Sequence, residues 1–509
     1  MSVKSRTQNS IRNTIFGFSA HLLTALFSFV SRTVFVYVLG AHYLGINGLF
    51  SNIFTMLSLT DLGVYTAMVY SLYKPLADGD QERISALINF FRKLYNVIAL
   101  IVFFIGLCCI PLLPYLVKNS ALSQKEIFFY YILLLTNTAV SYLAISKSTL
   151  LRADQQTHIV QVVSSSFTFA LQISQIVILI LTKNYALYLV MQILLTLTSN
   201  FILSLIASKK YPYLKKNMQL DTSSEIKKEI ASNIKSTFLY KIGNVILNST
   251  DNILISSIVG TVFVGYYSNY VTVFTMINSF IMIFIQGILA SVGNYFATQT
   301  ASQKYFLFRT LLLLFYMIAS LCTACYICGM DDFITLWLGS EYVLGGGFVF
   351  ALALNRFVFC SIHPLWITRE SSGIFTSTRF VMLIAAVINI ILSVILGIVM
   401  GVSGIILATA ISYLVTVFWY EPIQLCKKVF FISSRKHFLY LSRLLVMIFP
   451  IFFAAVFLKQ LVATSFWFLF FKFFLCLIVT VLSVLLTMGR TQEFKKLTST
   501  ALKFFKRKK

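Results

Sequence analysis

Charge is what this sequence has little of. Of 509 residues only 11% are Asp, Glu, Lys or Arg, against 58% hydrophobic. Soluble domains carry roughly 25% charged residues, so a water-soluble fold is excluded. Motifs that carry chemistry are equally scarce. The chain has no metal-ligand spacing, no glycine-rich phosphate loop and no Ser/His/Asp set in an outer loop. Cys322, Cys325 and Cys328 form C-x-x-C-x-x-C, a spacing that suggests an iron–sulfur site. They fall in an apolar run with no fourth thiolate near them in sequence, so they are read as packing cysteines. No signal peptide is apparent, because the first apolar run is too long and lacks a small-residue cleavage site before the second begins. A sizeable outer domain is missing too. The longest outer loop, 329–344, offers Asp331, Asp332 and Glu341, which is little room for a catalytic site. The chain is therefore not expected to be an enzyme, and no cofactor is called for.

What is present is length in apolar runs. Fourteen are long enough to cross about 30 Å of hydrocarbon, at 13–39, 44–73, 86–117, 126–147, 159–182, 185–207, 236–259, 262–297, 305–328, 345–367, 377–399, 402–424, 439–458 and 464–488. The fold class expected is all-α, a polytopic membrane protein with fourteen transmembrane helices.

The 41 Lys and Arg set the orientation. With the N-terminus inside, 33 of them fall in or beside inner segments, and the outer loops hold only Lys118, Lys125, Lys183 and Lys459. Arg32, Lys241, Arg356 and Lys472 lie within helices. This is a strong positive-inside signal, and it places both termini in the cytoplasm. The net charge of +25 therefore requires no nucleic acid. The basic tail 490–509 is expected to lie on anionic inner-leaflet lipid.

The chain divides into a six-helix lobe (1–207), a lysine-rich cytoplasmic linker (208–235), a second six-helix lobe (236–424), two extra Phe-rich helices (425–489) and the tail. The lobes look alike. The first helix ends SRTVFVYVLGAHYLGINGLFSN and the seventh TDNILISSIVGTVFVGYYSNYV. Each has a glycine at its turn and another five residues later, Gly40 with Gly45 and Gly260 with Gly265. This is the pattern of parallel repeats around a central cavity.

Polar stripes mark the faces that line such a cavity. Gly17, His21, Thr24, Ser28 and Arg32 share one on the first helix. Asn47, Ser51, Ser58, Asp61 and Tyr65 share one on the second, and Lys241, Asn244, Asn248 and Asn252 one on the seventh, with Asp251 at its edge. Arg356 and His363 lie on one side of the tenth. A charge near mid-membrane costs roughly 2.5–3.5 kcal/mol even on a mild scale, so such groups line wet cavities or pair. The bland alternatives are interhelical packing and, for His21 and His363, ordinary buried hydrogen bonding. Lys472 is expected to snorkel outward.

At these residues the chain resembles a family. The run SRTVFVYVLGAHYLGINGLFSNIFTMLSLTDLGVYTAMVYSLYKPLADGD (31–80) is similar to the start of bacterial polysaccharide flippases, the O-antigen and capsule repeat-unit transporters of the multidrug/oligosaccharidyl-lipid/polysaccharide exporter superfamily. GVSGIILATAIS (401–412) looks like that family's motif at the twelfth helix. The resemblance implies two six-helix bundles in a V around a central cavity, plus two C-terminal helices. It implies alternating access that carries a polyprenyl-diphosphate-linked oligosaccharide from the inner to the outer leaflet of the bacterial cytoplasmic membrane. Expected partners are that glycan, membrane lipids, and a polysaccharide polymerase with glycosyltransferases.

Within the resemblance Arg32 matches a diphosphate-binding cation of the first helix, with Lys241 and Arg356 assigned to the second lobe. A planar guanidinium binds phosphate in bidentate fashion and keeps its charge at any working pH. Cavity and coupling candidates are Asp61, Asp251, His21, Asn47, Asn248, Asn252 and His363. Asp61 and Asp251 are placed to carry H⁺ or Na⁺, with the membrane potential as the other energy source. Two rivals remain. A cation-coupled drug exporter of the same fold would need a mainly acidic cavity, whereas Arg32, Lys241 and Arg356 make this one net basic. A membrane glycan polymerase or ligase would need the outer domain that is missing.

Overall fold

The apolar runs dictate helices, because backbone groups in hydrocarbon must find their partners within the segment. The computed structural model describes residues 3–58, 64–215, 242–247, 249–374, 378 and 380–506, with the side chains of 3–23 and a few later helix positions outside that description. Among the described residues there are helices and turns and no strand. Each of the fourteen ranges is helical over most of its described length. Among described residues ten helices pass a length-and-composition test for spanning, eleven when the pair Gln124–Ser141 and Ile145–Ala153, bent by 41°, counts as one. The first two spans run together as Val3–Leu57, broken at Gly40 by φ 79° and ψ −177°. Only glycine enters that backbone region readily.

The surface confirms the solvent. On the helix Phe466–Met488, Leu486 is 86% exposed while Lys472 is 0% exposed. That is the reverse of a water-soluble helix, and it follows when lipid faces the outside. Lys472 corrects the expectation of snorkelling. Its Nζ donates to Asp332 Oδ2 at 2.6 Å and to the Leu461 carbonyl at 2.7 Å. Asp332 is available because the helix Ala301–Leu338 continues through Asp331 and Asp332, so the 329–344 segment is largely helix rather than loop. Lys459 pairs with Asp331 at 3.4 Å, giving the two final spans two ionic attachments to one helix.

The chain forms two compact units. One comprises 1–245 with 260–265, the other 246–259 with 266–509. The core of the first packs Met68, Leu72, Phe91, Tyr95, Leu150 and Leu203, all nearly or wholly buried. Its helix Val3–Leu57 meets the start of Thr261–Thr298 at a glycine-to-glycine crossing. A methyl group added at Gly45 would lie 2.0 Å from the Thr261 carbonyl oxygen, and one at Gly265 would lie 2.3 Å from that of Ala41. The Thr261 N–H in turn donates to the Lys118 carbonyl at 2.9 Å.

In the second unit Arg369 and Glu421 form a buried ion pair at 2.6 Å. The tail, expected as a lipid-surface segment, is helical over Gln492–Lys506. Its Glu493 is buried and pairs at 2.7 Å with Arg309, whose guanidinium also lies over the Tyr440 ring at 4.4 Å.

Candidate functional site

In the first unit the opening helix packs along the helix Thr157–Thr182, and Ser28 of its polar stripe meets that helix. Gln172 Nε2 donates to Ser28 Oγ at 2.6 Å. One turn further on, Arg32 is half-buried, with Tyr188 in electrostatic reach. Around this point stands a cluster of rings. The Tyr130 and Tyr185 centroids are 4.8 Å apart, Tyr43 and Tyr185 5.2 Å, and Phe35 and Tyr188 5.3 Å. Such a wall is apolar in body and polar at the phenol tips. Asn47 lies beyond the kink and accepts from Ser51 Oγ at 3.3 Å.

Gln172, Tyr185 and Tyr188 were missed in the sequence. Gln172 carried a legible signal, since a glutamine inside an apolar run normally hydrogen-bonds to another helix. Tyr185 and Tyr188 resembled ordinary interfacial aromatics and carried none.

In the second unit a buried polar chain links three helices. Thr409 Oγ1 donates to Asp251 Oδ1 at 3.1 Å, and Asn389 Nδ2 donates to Thr409 Oγ1 at 2.9 Å. Thr250 Oγ1 donates to Asn389 Oδ1 at 3.4 Å. Asp251 is only 8% exposed and accepts a hydrogen bond from the Thr409 hydroxyl. Arg356 lies in electrostatic range of Asp251. Its guanidinium stands 4.0 Å from the Phe274 ring centre and bonds to Tyr267. Asn252 is half-buried on the same turn of chain as Asp251.

His363, read as a cavity candidate, is instead packed among rings. It stacks on Phe315 with planes 4° apart, lies 5.2 Å from Trp366, and its Nδ1 is 2.8 Å from the Phe359 carbonyl. Asp61, Lys241 and Asn248 lie outside the described residues, as does the side chain of His21. Cys328 Sγ is 3.5 Å from Cys476 Sγ, so a further thiol does approach the C-x-x-C-x-x-C segment, from a helix 148 residues away. No group of three or more His, Cys, Asp or Glu placed to hold a metal occurs among the described residues.

The chain is thus a multi-pass helical membrane protein with ionisable groups buried within its helices, in one unit beside aromatics and in the other in a chain of hydroxyl and amide groups. Solved structures agree on the fold. An inward-facing multidrug resistance MATE family transporter of the MOP superfamily matches with TM-score 0.64 at 14% identity, over 81% of this chain and 98% of its own. The lipid II flippase MurJ in an inward closed conformation matches with TM-score 0.62 at 14% identity, over 93% and 98%. A MOP superfamily transporter from Pyrococcus furiosus, described as having a binding pocket of reverse polarity, matches with TM-score 0.52 at 15% identity, over 82% and 94%. No curated protein matches the chain in sequence. Residues 10–289 match the polysaccharide biosynthesis protein family, and the chain belongs to that family.

Proposed function

We propose that this protein is a flippase that moves polyprenyl-diphosphate-linked oligosaccharide repeat units from the inner to the outer leaflet of a bacterial cytoplasmic membrane, by alternating access, to supply surface polysaccharide such as capsule or O-antigen. The observation that carries the reading is Arg32, a permanent cation half-buried within a membrane span beside Tyr188 and the tyrosine cluster, in a member of a polysaccharide biosynthesis family. A diphosphate is the group a guanidinium at that depth suits. Two unit charges 4 Å apart attract by about 4 kcal/mol at an effective dielectric near 20, enough to offset much of a headgroup's lost hydration. Arg356 is proposed as a phosphate-binding cation of the second unit, and Lys241 is proposed for the same role.

Asp251 is proposed as the coupling carboxylate, carrying H⁺ or Na⁺ within its Thr409 and Asn389 shell, with Asp61 as the counterpart on the second span. Both termini are proposed to be cytoplasmic, with a polymerase and glycosyltransferases acting downstream and upstream of the flipped unit. The protein moves its substrate without making or breaking a covalent bond.

The test is substitution at Arg32. Arg32→Ala should abolish surface polymer while the protein stays inserted at normal abundance. Arg32→Lys should be partly active, because a point charge replaces a planar fork. Full transport by Arg32→Ala, or rescue of that variant by neutralising Asp61 or Asp251, would assign the arginine to ion pairing instead.

A further inference from the structure

Four chain segments of the second unit meet around a cavity of about 360 Å³. They are the ends of the helices Thr261–Thr298 and His363–Ser372, the start of Ala301–Leu338, and the turn after Cys426–Phe430. All four lie at the end of the spans that the basic residues mark as cytoplasmic. The polar groups on its walls are Lys304, Lys428, Ser371 and Ser372, beside Phe296 and Phe431.

Each polar group is placed as if for an anion. Lys304 stands in the first turn of a 38-residue helix, where the helix dipole disfavours a cation; an anion held there would satisfy both. Neither lysine pairs with a carboxylate among the described residues. Two ammonium groups facing one cavity repel unless an anion stands between them. The hydroxyl oxygens of Ser371 and Ser372 are buried and make no hydrogen bond among the described residues, a cost that a ligand oxygen would remove. No carboxylate lines the walls among the described residues, so a bound metal cation is disfavoured.

The rim adds a second feature. Phe431 is 77% exposed and takes φ 54°, the left-handed region that non-glycine residues seldom adopt. An exposed ring held at the edge of a cationic cavity suits a ligand that is anionic at one end and apolar at the other.

We propose that this cavity binds a phosphoryl group, as the headgroup of an anionic phospholipid of the inner leaflet or as free phosphate. The site is separate from Arg32, and its occupancy is read by binding without any measurement of transport, so it stands or falls apart from the flippase reading. The volume exceeds what a lone phosphate fills, which favours a phosphoglycerol headgroup.

The experiment uses the full chain in detergent. Phosphatidylglycerol and phosphatidylcholine are compared by native mass spectrometry, and inorganic phosphate is titrated calorimetrically. Phosphatidylglycerol should bind more tightly than phosphatidylcholine. The double variant K304Q/K428Q should weaken it about tenfold or more, as expected for loss of charge-assisted bonds. Ser371→Ala with Ser372→Ala should weaken it less, and this uncharged pair guards against a folding defect in the lysine variant. Lys427→Gln, which changes an exposed lysine outside the walls, should bind as the parent. Phosphate binding that is lost in K304Q/K428Q, without lipid preference, would keep the site and assign it to a soluble phosphate. Lipid and phosphate binding no tighter than phosphatidylcholine, or unchanged in both variants, would overturn the proposal.

Discussion

Gly45 and Gly265 hold equivalent places in the two sequence repeats, and in the folded chain they lie against one another. A methyl group on Gly45 would come within 3.4 Å of the Gly265 nitrogen, and one on Gly265 within 3.2 Å of the Gly45 nitrogen. The glycines five residues before them, Gly40 and Gly260, both take positive φ, 79° and 142°. One glycine of each repeat turns the chain, and the other lets two backbones touch.

Gly45→Ala should therefore be far more damaging than its small volume suggests. Its methyl group would press on the Thr261 carbonyl, which is backbone and cannot rotate away. A loss of about 1–3 kcal/mol is expected from overpacking of this kind. Gly40→Ala meets open space and should cost a comparable amount through backbone conformation alone. Thermal melts of the purified variants would check both. Parental stability in Gly45→Ala would mean the crossing relaxes freely.

The pair of Lys472 and Asp332 yields a sharper contrast. Replacing either alone leaves a buried charge without its partner and should destabilise by about 3–5 kcal/mol. Lys472→Met combined with Asp332→Leu should recover much of that loss, because two apolar residues in lipid surroundings need no partner. Melting temperatures of the three variants decide the matter.

Asp251→Asn should leave the protein folded and remove the dependence of transport on an H⁺ or Na⁺ gradient. Thr409→Val removes the hydroxyl that donates to the carboxylate at 3.1 Å and should weaken the same dependence without abolishing it. Transport measured with and without each gradient checks both. Undiminished gradient dependence in Asp251→Asn would take this residue out of the coupling role.

Cysteines introduced at Ser224 and Ser340, in a chain whose eight native cysteines are replaced, should label from opposite sides of intact cells. Ser224 belongs to the lysine-rich linker and Ser340 to the turn Ser340–Tyr342. Labelling of both from outside would mean that the helix count between them is wrong.

Much of this fold was legible in the sequence because hydrocarbon is a demanding solvent. A run long enough to cross it must be helical, and the loops beside it betray their side through Lys and Arg. What could not be read was anything depending on which helices become neighbours. Lys472 looked like a snorkelling residue because its partner Asp332 is 140 residues away. Cys328 seemed to lack a further thiol because Cys476 belongs to the last span. At the candidate sites, Arg32 and Asp251 stood out as charges where charge is costly. The rings around Arg32 and the Thr409–Asn389 shell of Asp251 are common residue types in such helices, so only packing reveals them. His363 misled for the converse reason. A histidine on a helical stripe looks the same whether it faces water or Phe315.

The closure of the first unit by residues 260–265 bears on how the chain is made. Lys118 caps the start of that segment, and Gly45 crosses it, so both wait for a stretch synthesised much later. A ribosome that has delivered residues 1–245 to the membrane has delivered a bundle whose contact surfaces at Gly45 and Lys118 are still open. During that interval the nascent half is exposed to wrong partners, including a second copy of itself.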